Sequence, residues 1–322
     1  MLRLGLLSTA RINRAILDGA ADSDLVEVVA VASRDAARAR EYAREHGIAS
    51  AHGSYEDLLA DPDVDAVYIP LPNGLHHEWT QRALTAGKHV LCEKPYSRRP
   101  SEVEQAFDVA ERSGLVLMEA FMYRHHPQMR RVVELVSGGA VGRLRAIRAA
   151  FTFRLDDAAN VRLQPELDGG ALMDVGCYCV SGARLLAGEP IRVQAEQVTG
   201  ETGVDVAFHG TLRFADDVVA EFHASFVAPR AQELEAIGEE GSLVVEAPWR
   251  ADWGGDLLLR RNDEVERMEV RPVNPFMLEL ENFAAAVEGR AEPLLGREDA
   301  RGQARTIDAL YRAAAEGRAV EL

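Results

Sequence analysis

Four things are scarce in this 322-residue chain, and each scarcity excludes something. Cysteine occurs only at Cys92, Cys177 and Cys179, so no paired framework can staple the fold, and the usage fits a reducing cytoplasm. Cys177 and Cys179 could supply half a metal site. The matching ligand spacing is missing, so small apolar residues in a buried segment are the better reading, and no metal is expected. Positive charge is short. Thirty-six Lys and Arg stand against 52 Asp and Glu, a net charge of −16. That field opposes a nucleic-acid face or a polybasic membrane contact. Long apolar runs are absent too, since no stretch approaches the ~18 residues of a membrane helix. Leu4 to Ala10 is broken at Arg11 with no cleavage site after it, so no signal peptide is expected. A soluble cytoplasmic protein is the expectation. Finally, glycine is missing from the first strand-to-helix turn, where it would have been most informative.

What is present is an ordinary globular composition, 47% apolar and 27% charged, with length enough for one large domain or two. Leu2–Leu7 and Leu25–Ala32 are short apolar runs, as strands buried on both faces should be. Helical stretches follow each, Arg11–Ala20 and Asp35–His46, the second ended by Gly47. Ser54 with Asp57 opens a short helix. Val64–Pro70, His89–Cys92 and Leu115–Glu119 continue as strands, with helices at Leu75–Ala86 and Glu102–Ser113. For the latter, Ser101 and Glu104 suggest a capping box. This alternation predicts a doubly wound parallel sheet, hence an α/β fold.

Beyond Tyr123 the pattern changes. A helix is predicted near Gln128–Ser137. Strand-like runs follow at Arg143–Leu155, Ile191–Thr199, Val204–Phe214, Val218–Phe226, Glu233–Gly238 and Leu243–Glu246. Short acidic turns between them suggest hairpins and an open, largely antiparallel sheet, an α+β unit. A helix from about Gly170 to Leu186 interrupts the strands, and two more, Phe276–Glu288 and Glu298–Glu316, close the chain. The division predicted is residues 1–122, a dinucleotide-binding domain, and 123–322, a domain for substrate and oligomerisation.

Several segments carry chemistry. A strand–turn–helix aims backbone N–H groups at a pyrophosphate. Its usual G-x-G-x-x-G reads here Ser8-Thr9-Ala10-Arg11-Ile12-Asn13, with every glycine replaced. Alone it is no stronger than a plain turn. At the end of the second strand Ser33, Arg34 and Arg38 stand where an acid would otherwise bind a ribose diol. A 2′-phosphate suits them, which favours NADP over NAD, although Asp35 is close by. Glu93-Lys94-Pro95 ends a strand where ligands of such sheets sit. A lysine partly removed from water there can move or stabilise a proton, although a surface ion pair would look the same. Asp174 and Tyr178, four apart after Gly169-Gly170, share a helical face and together can hold a hydroxyl. A buried tyrosine bonded to an aspartate is the plain alternative. His125-His126 is read as structural beside Pro127, and Trp79, His209 and His223 as ordinary helix and strand residues.

These segments, with Pro70–His76 and Met118–Arg124, resemble in order and spacing the glucose–fructose oxidoreductase and inositol dehydrogenase family, Gfo/Idh/MocA. The resemblance covers nearly the whole chain and is strongest toward the branch with xylose dehydrogenases, dimeric dihydrodiol dehydrogenases and sugar ketoreductases. It implies a Rossmann domain, then a sheet domain through which copies pair as homodimers or homotetramers. It implies a catalytic Lys94 and Tyr178, with Asp174 orienting the substrate, a sugar or related polyol. It carries the cofactor turn onto Ser8, Thr9, Ala10, Arg11 and Ile12, and the 2′-phosphate contacts onto Ser33 and Arg34. The nicotinamide-ribose wall falls on Leu71, Asn73, His76 and Glu93, and substrate contacts on Phe121, Phe153, Asn160 and Arg162. A nucleotide-linked keto-sugar reductase and a non-catalytic dinucleotide-binding regulator are the rival functions.

Overall fold

The computed structural model describes residues 1–250 and 254–322. They gather into two compact units, Met1–Met122 with Asn274–Arg301, and Tyr123–Val273 with Gly302–Leu322.

The first unit holds a six-stranded parallel sheet of β1 (Leu2–Leu6), β2 (Val26–Ala32), β3 (Ser50–His52), β4 (Ala66–Ile69), β5 (His89–Glu93) and β6 (Leu117–Ala120). The order is β3-β2-β1-β4-β5-β6. The chain winds outward from β1, then returns to start again at β4. That reversal opens a crevice at the carboxyl ends of β1 and β4. The strands are apolar throughout because both faces are covered. Leu4, Leu6, Val31, Val67, Tyr68, Ile69, Val90 and Leu91 are all fully buried. Helices α1 (Asn13–Ala21), α2 (Ala36–His46), α3 (Tyr55–Leu59), α4 (His76–Thr85) and α5 (Pro100–Arg112) connect them. Gly47 ends α2 in the left-handed conformation, and Ser54 Oγ accepts from Asp57 N to start α3. The capping box at Ser101 does not form. Pro100 occupies the first turn of α5, so the helix starts earlier, and Ser97 Oγ instead joins Arg99 N to Glu102.

In the second unit, α6 (Pro127–Ser137) precedes β7 (Leu144–Thr152), and α7 (Cys177–Ala187) precedes β8 (Arg192–Thr199), β9 (Asp205–Arg213), β10 (Val219–Ser225), β11 (Ala231–Gly238) and β12 (Ser242–Val245). Then come β13 (Leu257–Arg261), β14 (Glu264–Met268), helices α8 (Pro275–Val287) and α9 (Arg297–Glu316), and β15 (Val320–Glu321). The nine strands order as β14-β13-β12-β11-β7-β10-β9-β8-β15, and only β7 and β10 run parallel. One face is covered by helix. A Cβ on Gly182 of α7 would come within 2.6 Å of Trp249, and one on Gly176 within 3.2 Å of Ala224. The other face presents Glu196, His209, Thr211 and Glu221. The β13–β14 hairpin escaped the sequence reading because Glu264–Met268 lacks an apolar alternation. Its turn signal is Asn262, which takes a positive φ of 53°.

Residues 274–301 belong to the first unit, whereas the sequence reading kept 123–322 together. Packing is the reason. Helix α8 lies on α1 so closely that a Cβ on Gly19 would stand 2.9 Å from Met277 N. Phe276, Leu280 and Phe283 are buried, each worth roughly 1.5–3 kcal/mol. Among the described residues no helix is long and apolar enough to cross a membrane.

Candidate active site

The turn after β1 closes without glycine because none of its residues needs a positive φ. Ser8 Oγ accepts from Ala10 N at 3.1 Å, and the buried Asn13 donates its side-chain amide to Ser8 O at 2.7 Å. Ile12 caps α1 without a side-chain bond, and the N–H groups of Asn13, Arg14 and Ala15 turn back onto Ala10 O, Arg11 O and Ile12 O, so the N–H groups left to meet an anion are those of the turn, at Arg11 and Ile12. Asn13, which the sequence reading left out of the site, thus replaces the glycine geometry with side-chain bonds.

At the end of β2, Ser33 is buried and its Oγ accepts from Asp35 N. The Asp35 carboxylate is turned into α2, where it accepts from Ala37 N at 2.8 Å and Arg38 N at 3.3 Å. Arg34 and Arg38 are exposed, and their charges favour the ionised form of Tyr55. Burial raises the Tyr55 pKa despite them. Tyr55 was not singled out from sequence. It gives this basic corner a fixed wall, edge-on to Trp79 at 4.9 Å.

Beyond β4 and β5, two loops are tied together by His76. Its Nε2 lies 2.7 Å from Leu71 O and its Nδ1 3.0 Å from Pro95 O. The ring is fully buried, and burial foremost lowers its pKa, with Lys94 adding to the shift. His76 therefore engages backbone, and through it sets the position of the Lys94–Pro95 segment, whose peptide bond is cis. Glu93 accepts from Tyr68 OH at 2.6 Å and from Lys94 N at 3.2 Å. The buried Glu119 accepts from Tyr96 N at 2.7 Å. An acid inside the apolar run of β6 was the sequence signal for that anchor. Lys94 thus stands half-buried at the carboxyl end of β5, on a loop held from three sides. Leu71 and Phe121 are buried, while Asn73 is half-buried in a single turn before α4.

Glu279 of α8 was also missed from sequence. It is fully buried, and both carboxyl oxygens lack a hydrogen-bond partner. Burial, then the Glu93 charge, push its pKa well above the usual carboxylate range. A raised folded-state pKa means a stability contribution complete below the unfolded carboxyl's value, about 4.3, and lost as pH rises. Glu279→Met should therefore stabilise the protein at pH 8 by about 1–3 kcal/mol. The gain should shrink toward pH 5. Urea denaturation at both pH values reads it, and an equal difference at each would refute the assignment.

In the second unit, Gly170 has a φ of 129°, and a Cβ on Gly169 would lie 2.5 Å from Arg162 O. Both positions need glycine. Residues Leu172–Gly176 then wind as a π-helix that runs into α7, a local widening often found at functional sites. The sequence predicted one regular helix here. Asp174 lies in the widened turn, and its Oδ2 accepts from Arg162 Nε at 2.6 Å. Asn160 Oδ1 accepts from Arg162 N at 3.1 Å, so three candidate residues form one chain. Tyr178 is buried in an aromatic cluster, with ring centroids 5.4 Å from Phe151, 5.7 Å from Tyr123 and 6.0 Å from Trp249. Phe153 packs on Phe226. Cys177 and Cys179 are buried, and burial pushes the Cys179 thiol well up. His126 Nδ1 caps α6 through Gln128 N, and burial holds His125 down to about 3, hence neutral. Among the described residues no group of three His, Cys, Asp or Glu is placed to hold a metal.

A six-stranded parallel β3-β2-β1-β4-β5-β6 sheet with its crevice at the carboxyl ends of β1 and β4 defines a dinucleotide-binding domain of the Rossmann class. Family comparison agrees. Residues 4–121 match the oxidoreductase family with an NAD-binding Rossmann fold, and residues 129–244 match the GFO/IDH/MocA C-terminal domain. D-xylose 1-dehydrogenase (NADP+) 2 of Haloferax volcanii is 42% identical over 325 residues, covering 100% of both chains. The solved 3-ketoreductase of Actinomadura kijaniata, in complex with NADP and TDP-benzene, superimposes with a TM-score of 0.92 at 34% identity, covering 97% of each chain. Aldose–aldose oxidoreductase of Caulobacter crescentus, complexed with glycerol, gives a TM-score of 0.92 at 28% identity over 100% and 99%. The chain belongs to the Gfo/Idh/MocA family and is an NAD(P)-dependent oxidoreductase.

Proposed function

We propose that this protein is an NADP-dependent dehydrogenase that oxidises a hydroxyl of a free aldose or related polyol, with Lys94 and Tyr178 as its catalytic residues. The observation that carries the reading is Lys94 itself, fixed at the carboxyl end of β5 in a dinucleotide-binding unit. The full-length similarity to an NADP-dependent xylose dehydrogenase supports the substrate class. The Actinomadura ketoreductase has been solved with a lysine replaced by alanine and with a tyrosine replaced by phenylalanine. Those two residues stand as far apart in its sequence as Lys94 and Tyr178 do here.

The residues present suit the cofactor. The N–H groups of Arg11 and Ile12, in the turn that leads into α1, suit a pyrophosphate. Ser33, Arg34 and Arg38 suit a 2′-phosphate, and Asp35 is occupied as a helix cap, which removes the acid that would favour a free ribose diol. When bound, the nicotinamide accepts the hydride. Tyr178 takes the proton of the substrate hydroxyl as general base. Lys94 lowers the cost of the phenolate and of the developing alkoxide. Asp174, held by Arg162, orients a neighbouring hydroxyl. Copies pair through the open face of the nine-stranded sheet, where Arg148 is bonded to Glu221 among polar residues such as Gln194, His209 and Thr211.

Purified protein with NADP and a panel of aldoses should raise absorbance near 340 nm, most with pentoses. Light scattering on the same sample should give a dimer or tetramer. No turnover with any aldose, but oxidation of NADPH by a nucleotide-linked keto-sugar, would select the second reading. That reading is favoured by the 0.92 TM-score to a ketoreductase solved with a TDP ligand.

A further inference from the structure

We infer that Asp205 is a positioning residue for the helical segment that carries Asp174 and Tyr178. It is the first residue of β9, and strict alternation would put it on the open face with Ala207 and His209. The register between β8 and β9 slips there. Val198 pairs with Ala207 but Thr199 pairs with Asp205, so one residue is extra. Such an insertion re-aims a side chain. Asp205 is accordingly buried on the helix-covered side, where Tyr311 of α9 meets both it and Phe208.

Its contacts explain what the placement achieves. Asp205 Oδ2 accepts from Leu172 N at 2.7 Å, and Oδ1 accepts from Tyr311 OH at 3.0 Å. The Ala171 N–H and its own N–H add to the field that favours the carboxylate. The π-helical segment has no side-chain cap of its own at Ala171. A residue 33 positions away thus performs the capping that Ser, Thr or Asp performs locally elsewhere. Gly170 leaves the room, since a Cβ there would sit 2.2 Å from Asp205 Oδ1. Two residues beyond Leu172 stands Asp174, and then Tyr178, so the carboxylate sets where that turn begins.

The titratable group that faces Asp205 is Tyr311. From the helical segment and its own strand it meets N–H groups. Burial raises its pKa to about 6, against the lowering effect of those donors. Protonation thus falls near neutral pH. A protonated carboxyl is a weaker acceptor, so the turn loosens and turnover falls on the acid side. The stability effect has the opposite sign. The folded pKa lies above the unfolded carboxyl's, so this group's contribution is complete at low pH and lost as pH rises through about 6. Acid loss of activity without loss of Tm is therefore the mark of positioning, and unfolding does not produce it.

The inference rests on Tyr178 being the proton partner, and two readouts keep the questions apart. Kinetics of wild type, Asp205→Asn and Tyr311→Phe should be followed from pH 5 to 8, and hydrogen exchange of peptides over residues 170–178 measured alongside. Asp205→Asn should lower kcat about tenfold, leave the NADP KM unchanged and abolish the acid limb near pH 6. Tyr311→Phe removes one donor, so the limb should move to higher pH. Exchange in 170–178, corrected for its intrinsic pH dependence, should quicken below pH 6 in wild type and at all pH values in Asp205→Asn. Unchanged exchange and an unchanged acid limb in Asp205→Asn would overturn the inference. Full turnover in Tyr178→Phe would instead remove the catalytic reading, and the exchange data would still decide whether Asp205 holds the turn.

Discussion

Tyr178→Phe is expected to lower kcat by about 10²–10⁴-fold, the usual contribution of a positioned general acid or base, with NADP affinity nearly intact. The phenol is held by its ring, in contact with Phe151, Tyr123 and Trp249, so removing one oxygen leaves the packing in place. Lys94→Ala should fall in the same range through a different effect. Its loop is fixed by His76, Glu93 and the Glu119–Tyr96 bond, none of which needs the Lys94 ammonium. The loss is then electrostatic, and the alkaline shift of the kcat profile expected without a nearby cation would identify it. Stopped-flow turnover with a saturating aldose, beside fluorescence titration with NADPH, separates chemistry from binding. Wild-type kcat in both variants would sink the catalytic pair.

Arg34→Ala should raise the KM for NADP by about 10–100-fold, as the loss of roughly 1.5–3 kcal/mol from a charge-assisted bond implies. The KM for NAD should change far less, because the 2′-phosphate is the group that Arg34 is read as binding. The make-up of the corner supports that reading. Arg34 and Arg38 are exposed, Tyr55 stands beside them, and the nearby Asp35 carboxylate is spent on the N–H groups of α2. Steady-state kinetics with each cofactor reads the ratio. An equal rise for both would mean that Arg34 shapes the corner and does not read the phosphate.

Much of this architecture was legible in sequence because buried parallel strands leave near-continuous apolar runs. Leu2–Leu7, Leu25–Ala32 and Val64–Pro70 each contain a strand of the first sheet. Hairpin turns were legible where acidic residues accept a positive φ, as Asp216 and Asp217 do. Failures have equally specific causes. Asn13 closes its turn through a side-chain bond to Ser8 O that no motif records, and Tyr55 and Glu279 carry no local pattern because their surroundings, Trp79 and Glu93, lie far along the chain. The π-helical turn at Leu172–Gly176 departs from regular helix because its start is set by a strand residue, Asp205, and local propensity does not record that.

The sequence by itself determined the family and the order of strands and helices in the first sheet, apart from the three-residue edge strand β3, which no apolar run marks. It also determined that Glu93-Lys94-Pro95 would end a strand where ligands sit. Tertiary structure decided that α8 joins the first unit, through the Gly19 contact with Met277, and that a glycine-free turn is closed by the Asn13 amide on Ser8 O. It also gave one of the absences, a first turn without glycine, a physical mechanism. Periodicity reports only which face of an element is buried. Which distant side chain fills a cap or closes a turn depends on where the rest of the chain comes to lie.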